Sequence, residues 1–476
     1  MADNTENNRP DGSDDNNDKD PFAEMFSNLF GGAGAGGMDP KNMPEEIQKA
    51  MGVQNDPAAM QAMFRQMQQL MGAMASGESG PVNWSLAIDS ARQAAAGDDP
   101  SVTGPRQQAI ADAGRLAEMW LDAATAFEAP GTEFTAISRA EWVTKTMDTW
   151  KVLTSDVAES MSAAMTTAMR DQAPEEMKGM LAGAQGMFQN LGGAMFGMQL
   201  GTAVGGLAKD VFGGTDIGLP LAGTAPLLVP SNVSAFGEDL DAPEQEVLLF
   251  IALREAAHIR LFTRAPWLRT NVIGAIESYA RGIHIDMSKI EESIRDIDPS
   301  RPESFQNMAV EGLFTPQHTP AQETALAKLE TVLALIEGWV DEVVAAASAN
   351  LPAAGALREM LRRRRATGGP AEQAFASLVG LELRPRRLRD ASAFWSTMLA
   401  ERGIEGRDDI WSHPDLMPTA EDLDDPAGFG TRRKLAEAED SELDEALNKL
   451  LSGGFDTPRD GDSDDDAPEE PTDGSK

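Results

Sequence analysis

Residues 179–208 carry no charged side chain, in a chain whose formal net charge is −37. Within this run Gly193, Gly197, Gly201 and Gly205 recur at every fourth position. On a helix that spacing gathers them into one stripe. A stripe without Cβ atoms lets a second helix backbone come unusually close. The run is long enough to span a bilayer. Gln185, Gln189, Asn190 and Gln199 interrupt it, however, and its many glycines contribute little hydrophobicity. The pattern predicts a helix pair packed in a core, not a membrane span.

The remaining composition narrows the chemistry. The chain has 476 residues, 41% of them hydrophobic, which is ample for a sizeable core. Its pI of about 4.4 argues against nucleic-acid binding, because phosphates would be repelled. With no cysteine, thiolate nucleophiles, disulfides and iron–sulfur centres are excluded. Any metal must be held by Asp, Glu or one of four histidines: His258, His284, His318 and His413. The first residues are rich in Asp and Asn and contain no apolar signal-peptide core, so a cytoplasmic location is expected.

Residues 1–43 are acidic and then Gly-rich, a composition that predicts disorder, with one apolar island from Phe22 to Phe30. Residues 44–80 read as a Met-rich helical segment and linker, and 81–428 as the folded body. In the body, helices are predicted over Val82–Ala95, Gln107–Phe127, Arg139 onward behind Ser138, Asp156–Arg170, Glu246–Phe262, Leu268–Arg281, Gln322–Ser348, Leu357–Arg365, Ala371–Leu381 and Arg389–Glu401. Ala225–Phe236 is the best strand candidate, and Pro230 would confine it to a sheet edge. Residues 429–476 return to an acidic tail with one short helix, Glu439–Leu451. The fold class expected is mainly α with a small β-sheet.

Chemistry concentrates in Arg254-Glu255-Ala256-Ala257-His258. A helical H-E-x-x-H sets two histidines on one face to grip zinc, with the glutamate as general base. Here Glu255 and His258 are present, but arginine occupies the first histidine's place and has no lone pair to donate. Glu277 follows His258 at H-x18-E spacing, across a break at Pro266, where a second ligand on the next helix could sit. Glu337 lies in an apolar stretch, where an acid must be paired or bound; an arginine partner is the plainer reading. His284 is a further candidate ligand, while His318 and His413 sit in Pro-flanked loops. The basic runs Arg362–Arg365 and Arg384–Arg389 are expected to pair with the chain's own carboxylates.

The run Leu253–Phe262 with Pro266-Trp267-Leu268, together with Gly213–Pro220, Leu335–Asp341, Gly380–Arg389 and Trp411–Leu416, resembles the zincin-like metallopeptidases of actinobacteria. The resemblance implies a zincin-like fold, a zinc cofactor and hydrolysis of peptide bonds. By position it makes Glu255 the general base and His258 and Glu277 zinc ligands, and puts Arg254 in the place of a ligand. Arg254 would then orient Glu255 or stabilise an oxyanion. Two functions stay open: a zinc-dependent peptidase acting on peptides or proteins, and a non-catalytic zincin scaffold that binds protein partners.

Overall fold

The computed structural model describes residues 80–172, 175–238, 240–281, 319–366, 374–376, 378 and 387–451. All of them belong to one of the two units into which the chain divides. The Met-rich segment, the N-terminal tail, residues 452–476 of the C-terminal tail, His284, His318 and most of the Ala371–Leu381 prediction lie outside the described residues, whereas the helix expected over Glu439–Leu451 is described and begins earlier, at Phe429.

The described chain is mainly helical. In order it runs α1 (Trp84–Ala95), α2 (Gly104–Leu121), β1 (Thr135–Ala136), α3 (Arg139–Gln172), α4 (Glu175–Leu207), β2 (Leu227–Leu228), α5 (Pro230–Glu238), α6 (Glu244–Arg264), α7 (Pro266–Arg281), α8 (Pro320–Ala347), α9 (Ala354–Ala366), α10 (Leu388–Asp408), α11 (Ala420–Asp424) and α12 (Phe429–Leu451). Short 3₁₀ turns link α10, α11 and α12. The two strands pair in parallel, Thr135 with Leu227 and Ala136 with Leu228. The outer edge of β1 is covered by Gln107, whose amide donates to the Phe134 carbonyl and accepts from the Ala136 N–H.

Three expectations need correction. The strand proposed over Ala225–Phe236 shrinks to Leu227–Leu228, because Pro230 opens helix α5 instead of closing an edge strand. Proline lacks the N–H that a ladder needs but suits the first turn of a helix. Pro266 likewise starts α7, and the break falls on Ala265, whose backbone leaves helical geometry. The separate helices expected over Arg139–Arg170 form one continuous α3.

The glycine stripe of α4 faces α1, as its spacing predicts. A Cβ on Gly197 would stand 2.6 Å from the Asn83 carbonyl oxygen, and one on Gly205 would stand 2.6 Å from that of Ala91. Bare backbone therefore lies against backbone. Asn83 also caps α1 by accepting from the Leu86 N–H. Among the described residues no helix is long and apolar enough to cross a membrane.

At the centre lies α6, buried almost continuously from Val247 to Phe262. It touches α2, α5, α7, α8, α9 and β2. A helix apolar on all sides belongs inside a protein. This one also carries Arg254, Glu255, His258 and Arg260, so each of these must find a partner within the core.

The glycine stripe yields a paired prediction. Gly197→Ala pushes a methyl group into rigid backbone and should cost about 1–3 kcal/mol. Gly192→Ala, on the same helix but with nothing within 4 Å, should be neutral or stabilising by up to about 1 kcal/mol. Urea unfolding of both variants checks this; equal effects would mean that α1 and α4 are not in close contact.

Candidate functional site

One turn of α6 separates Arg254 from His258, so both side chains leave the same face. They converge on Glu337 of α8. Arg254 Nη2 lies 2.8 Å from Glu337 Oε2, and His258 Nε2 lies 3.1 Å from Glu337 Oε1. His258 Nδ1 lies 2.8 Å from the Arg254 carbonyl oxygen. A carbonyl only accepts, so Nδ1 donates and Nε2 is the atom turned toward the carboxylate. Arg365 of α9 adds a second guanidinium on Glu337 Oε2.

Glu255 faces the other way, into the loop before β2. Its Oε1 accepts from the Gly214 N–H at 2.9 Å, and its Oε2 accepts from the Thr215 hydroxyl at 2.6 Å and the Thr215 N–H at 3.3 Å. The loop's own fold makes this approach possible. Trp142 donates to the Gly213 carbonyl, and a Cβ on Gly213 would collide with the Glu255 carboxylate. Phe212, Gly213, Thr215, Asp216, Ile251, Arg254, Glu255 and His258 line a small cavity with room for about one water molecule.

The charges follow from burial. Burial alone would raise the Glu337 pKa, but Arg365, His258 and Arg254 together hold its carboxyl well below the usual range. Burial raises the Glu255 pKa, offset only in part by the Thr215 hydroxyl, His258 and the two loop N–H groups. For Arg254, burial and the neighbouring Arg365 weaken proton affinity, opposed by Glu337. Burial acts the same way on Arg365, but Glu337 and Asp216 outweigh it and raise its pKa.

One turn beyond Glu337, Asp341 repeats the arrangement. It accepts from Arg358, Arg362 and Ser392 and titrates below the usual range despite its burial. Arg358, Arg362 and Arg365 lie at i, i+4 and i+7 on α9, one face turned to α8. Arg364 stacks on Phe212, 4.3 Å from the ring centroid, and donates to the Asp210 carbonyl. Of the basic run Arg362–Arg365, Arg362 and Arg365 serve α8, Arg364 and Arg365 serve the 210–216 loop, and Arg363 pairs with Glu359 on α9 itself.

The structure therefore brings together three of the residues singled out from sequence, Arg254, His258 and Glu337, with Glu255 on the next position of α6. Arg254 pairs with Glu337, not with Glu255 as a positioning role would require. Glu277 sits half-buried on α7 and does not line the cavity. His413 is exposed and accepts from the Asp415 N–H. Thr215 and Arg365 are the contributors that sequence reasoning did not single out. Arg365 could be read only as one of four basic residues, because nothing local tells which of them points at Glu337.

A catalytic zinc needs three protein ligands and an open position. Among the described residues no three His, Asp or Glu side chains are grouped to hold a metal ion. The two that do converge, His258 and Glu337, share their space with two guanidiniums. The residues present do not fit the metal.

The sequence profile of the zincin-like metallopeptidases matches residues 82–429. A solved structure from Chloroflexus aurantiacus, provisionally named a hydrolase and described as having a novel fold, superposes with a TM-score of 0.53 at 20% identity, covering 74% of this chain and 99% of that one. At that identity the likeness speaks for the fold alone. No curated protein matches the chain.

The Glu337 cluster generates a stability prediction. Glu337→Gln leaves two buried guanidiniums short of an anion and should cost about 3–5 kcal/mol at neutral pH. Because folding depresses this pKa, the stabilisation is complete above the unfolded glutamate value of about 4.3 and fades as pH falls toward the folded value. Wild type and Glu337→Gln should therefore converge in stability as the pH drops below about 4. A gap that stays constant down to pH 3 would show that the carboxylate charge is not what holds the cluster.

Proposed function

The chain belongs to the zincin-like metallopeptidase family, and from that premise we propose that it is a metal-independent member, a polypeptide-binding scaffold and not a zinc peptidase. The observation that carries this reading is the saturation of Glu337. Two guanidiniums hold Oε2, and His258 holds Oε1. A divalent cation would enter a space already flanked by two fixed positive charges, at a cost that rises as the local dielectric falls.

Glu255 supports the same reading. A general base needs a free lone pair within reach of a water. The Glu255 carboxylate instead accepts three hydrogen bonds from one loop and is 3% exposed. In this role it anchors the 213–215 loop to α6. The ligand class follows from the family, whose substrates are polypeptides. The cavity beside the motif has room for about one water molecule, about 10 Å³, which is too little for a small-molecule ligand.

A second reading keeps the peptidase, with Glu255 as general base and His258 and Glu277 as zinc ligands. The raised proton affinity of Glu255, at the cavity wall, favours it. Elemental analysis separates the two on protein purified without a His-tag. The expected result is no zinc above background, an unfolding midpoint unchanged by chelator, and no peptide hydrolysis that Glu255→Gln abolishes. Near one zinc per chain, lost in His258→Ala, would instead establish the peptidase reading.

A further inference from the structure

Glu337 sits at a meeting of charges that resembles a metal site with its ion exchanged for protein. His258 gives its Nδ1–H to a backbone carbonyl and turns Nε2 toward Glu337 Oε1. Metal-bound histidines are commonly held in this way, with the outer nitrogen fixed by a carbonyl and the inner one aimed at the ion. The 3.1 Å between Nε2 and Oε1 is close to the roughly 3.3 Å that two ligand atoms keep around one tetrahedral zinc, given metal–ligand bonds of about 2.0–2.1 Å. The two atoms now share a hydrogen bond, and with Nε2 free of its proton they would be two ligand atoms already at ligand spacing. What stands beside them is not a third donor but Arg254 and Arg365.

These two arginines supply two units of fixed positive charge to one carboxylate. Neither is a mobile surface side chain. Arg254 is 8% exposed and leaves the centre of α6. Arg365 also donates to the Asp216 carbonyl and lies 3.5 Å from the Asp216 carboxylate, so it is gripped from the opposite side. A guanidinium keeps its charge at any physiological pH and offers several donors in a fixed fork. In charge and permanence, although on Oε2 and not between Nε2 and Oε1, they match what a bound divalent ion would provide to Glu337.

We propose that Arg254 and Arg365 act jointly as a built-in substitute for a divalent cation, and that these two positions alone decide whether the centre takes a metal. The inference rests on the metal-independent reading above and goes further. It assigns the exchange to two named residues, one of them 111 positions from the motif in sequence. It also makes the exchange reversible. A histidine at 254 would stand one helical turn from His258, and loss of the Arg365 charge would free Glu337. The centre would then hold two imidazoles and a carboxylate, the ligand number a zinc site with one open position requires.

The test compares full-length wild type, Arg254→His and Arg254→His/Arg365→Gln by thermal unfolding in EDTA and in zinc chloride, with elemental analysis of each. Wild-type midpoints should coincide in the two conditions. The double variant should melt below wild type in EDTA, recover several degrees in zinc, and retain about one zinc per chain, lost again when His258→Ala is added. A folded double variant that neither binds nor responds to zinc overturns the proposal while leaving the metal-independent reading intact. Zinc bound by the wild type overturns that reading instead.

Should the double variant not accumulate in soluble form, a cycle of Arg365→Gln, Glu337→Gln and their combination decides the matter. If Arg365 serves as counter-charge to Glu337, the combination should be no less stable than Glu337→Gln alone. Losses that simply add would refute it.

Discussion

The fold depends on one constraint: a helix buried on every side carries four polar or ionisable residues within seven positions. Arg254, Glu255, His258 and Arg260 of α6 are each 8% exposed or less. An unpaired charge at such a depth would cost more than the stability of a typical domain allows. Together these residues bind three other parts of the protein to α6. Arg260 ties it to the end of α2, through Glu118 and Asp122, and to the Phe127 carbonyl beyond. Glu255 ties it to the 213–215 loop, and Arg254 and His258 to α8. The apolar face of α6 supplies most of the burial, but the polar residues determine which neighbours fit and in what register.

The pairing of α8 with α9 extends the same logic. Two carboxylates one turn apart on α8 meet arginines at one face of α9, and Arg365 continues past Glu337 to Asp216. The loop that holds Glu255 is thereby fixed from both sides, by α6 below and by Arg364 and Arg365 across it. Membership of a metallopeptidase family places this architecture beside zinc chemistry, yet fold and chemistry separate readily. In the proposed reading the separation runs through two residues, because a cation that must be acquired can be replaced by cations that the chain already carries.

Much of the local structure was legible because its causes are local. The every-fourth glycines of α4 announced a close helix pair, and the apolar setting of Glu337 called for an arginine. The same reasoning failed at Pro230, because the apolar run Leu227–Val229 reads as a strand with the proline at its edge, whereas the proline opens a first helical turn. It also left Arg254 with the wrong partner. Glu255 is its sequence neighbour, but adjacent helical residues point about 100° apart, and the guanidinium reaches Glu337, 83 residues away. Glu277 stands at ligand spacing from His258 along the chain, yet spacing sets only how far a residue can reach, not toward what.

By itself the sequence determined that the chain would be mainly helical, that α1 and α4 could touch backbone to backbone, that thiol chemistry was excluded, and that an arginine replaced the first histidine of a metal motif. These are consequences of residue type and short-range period, which need no knowledge of distant segments. Only the tertiary structure decided what the motif became. Packing α8 and α9 around α6 brought Glu337, Asp216 and Arg365 to residues far from them in sequence, and the low polarity of that core made each charge depend on those neighbours.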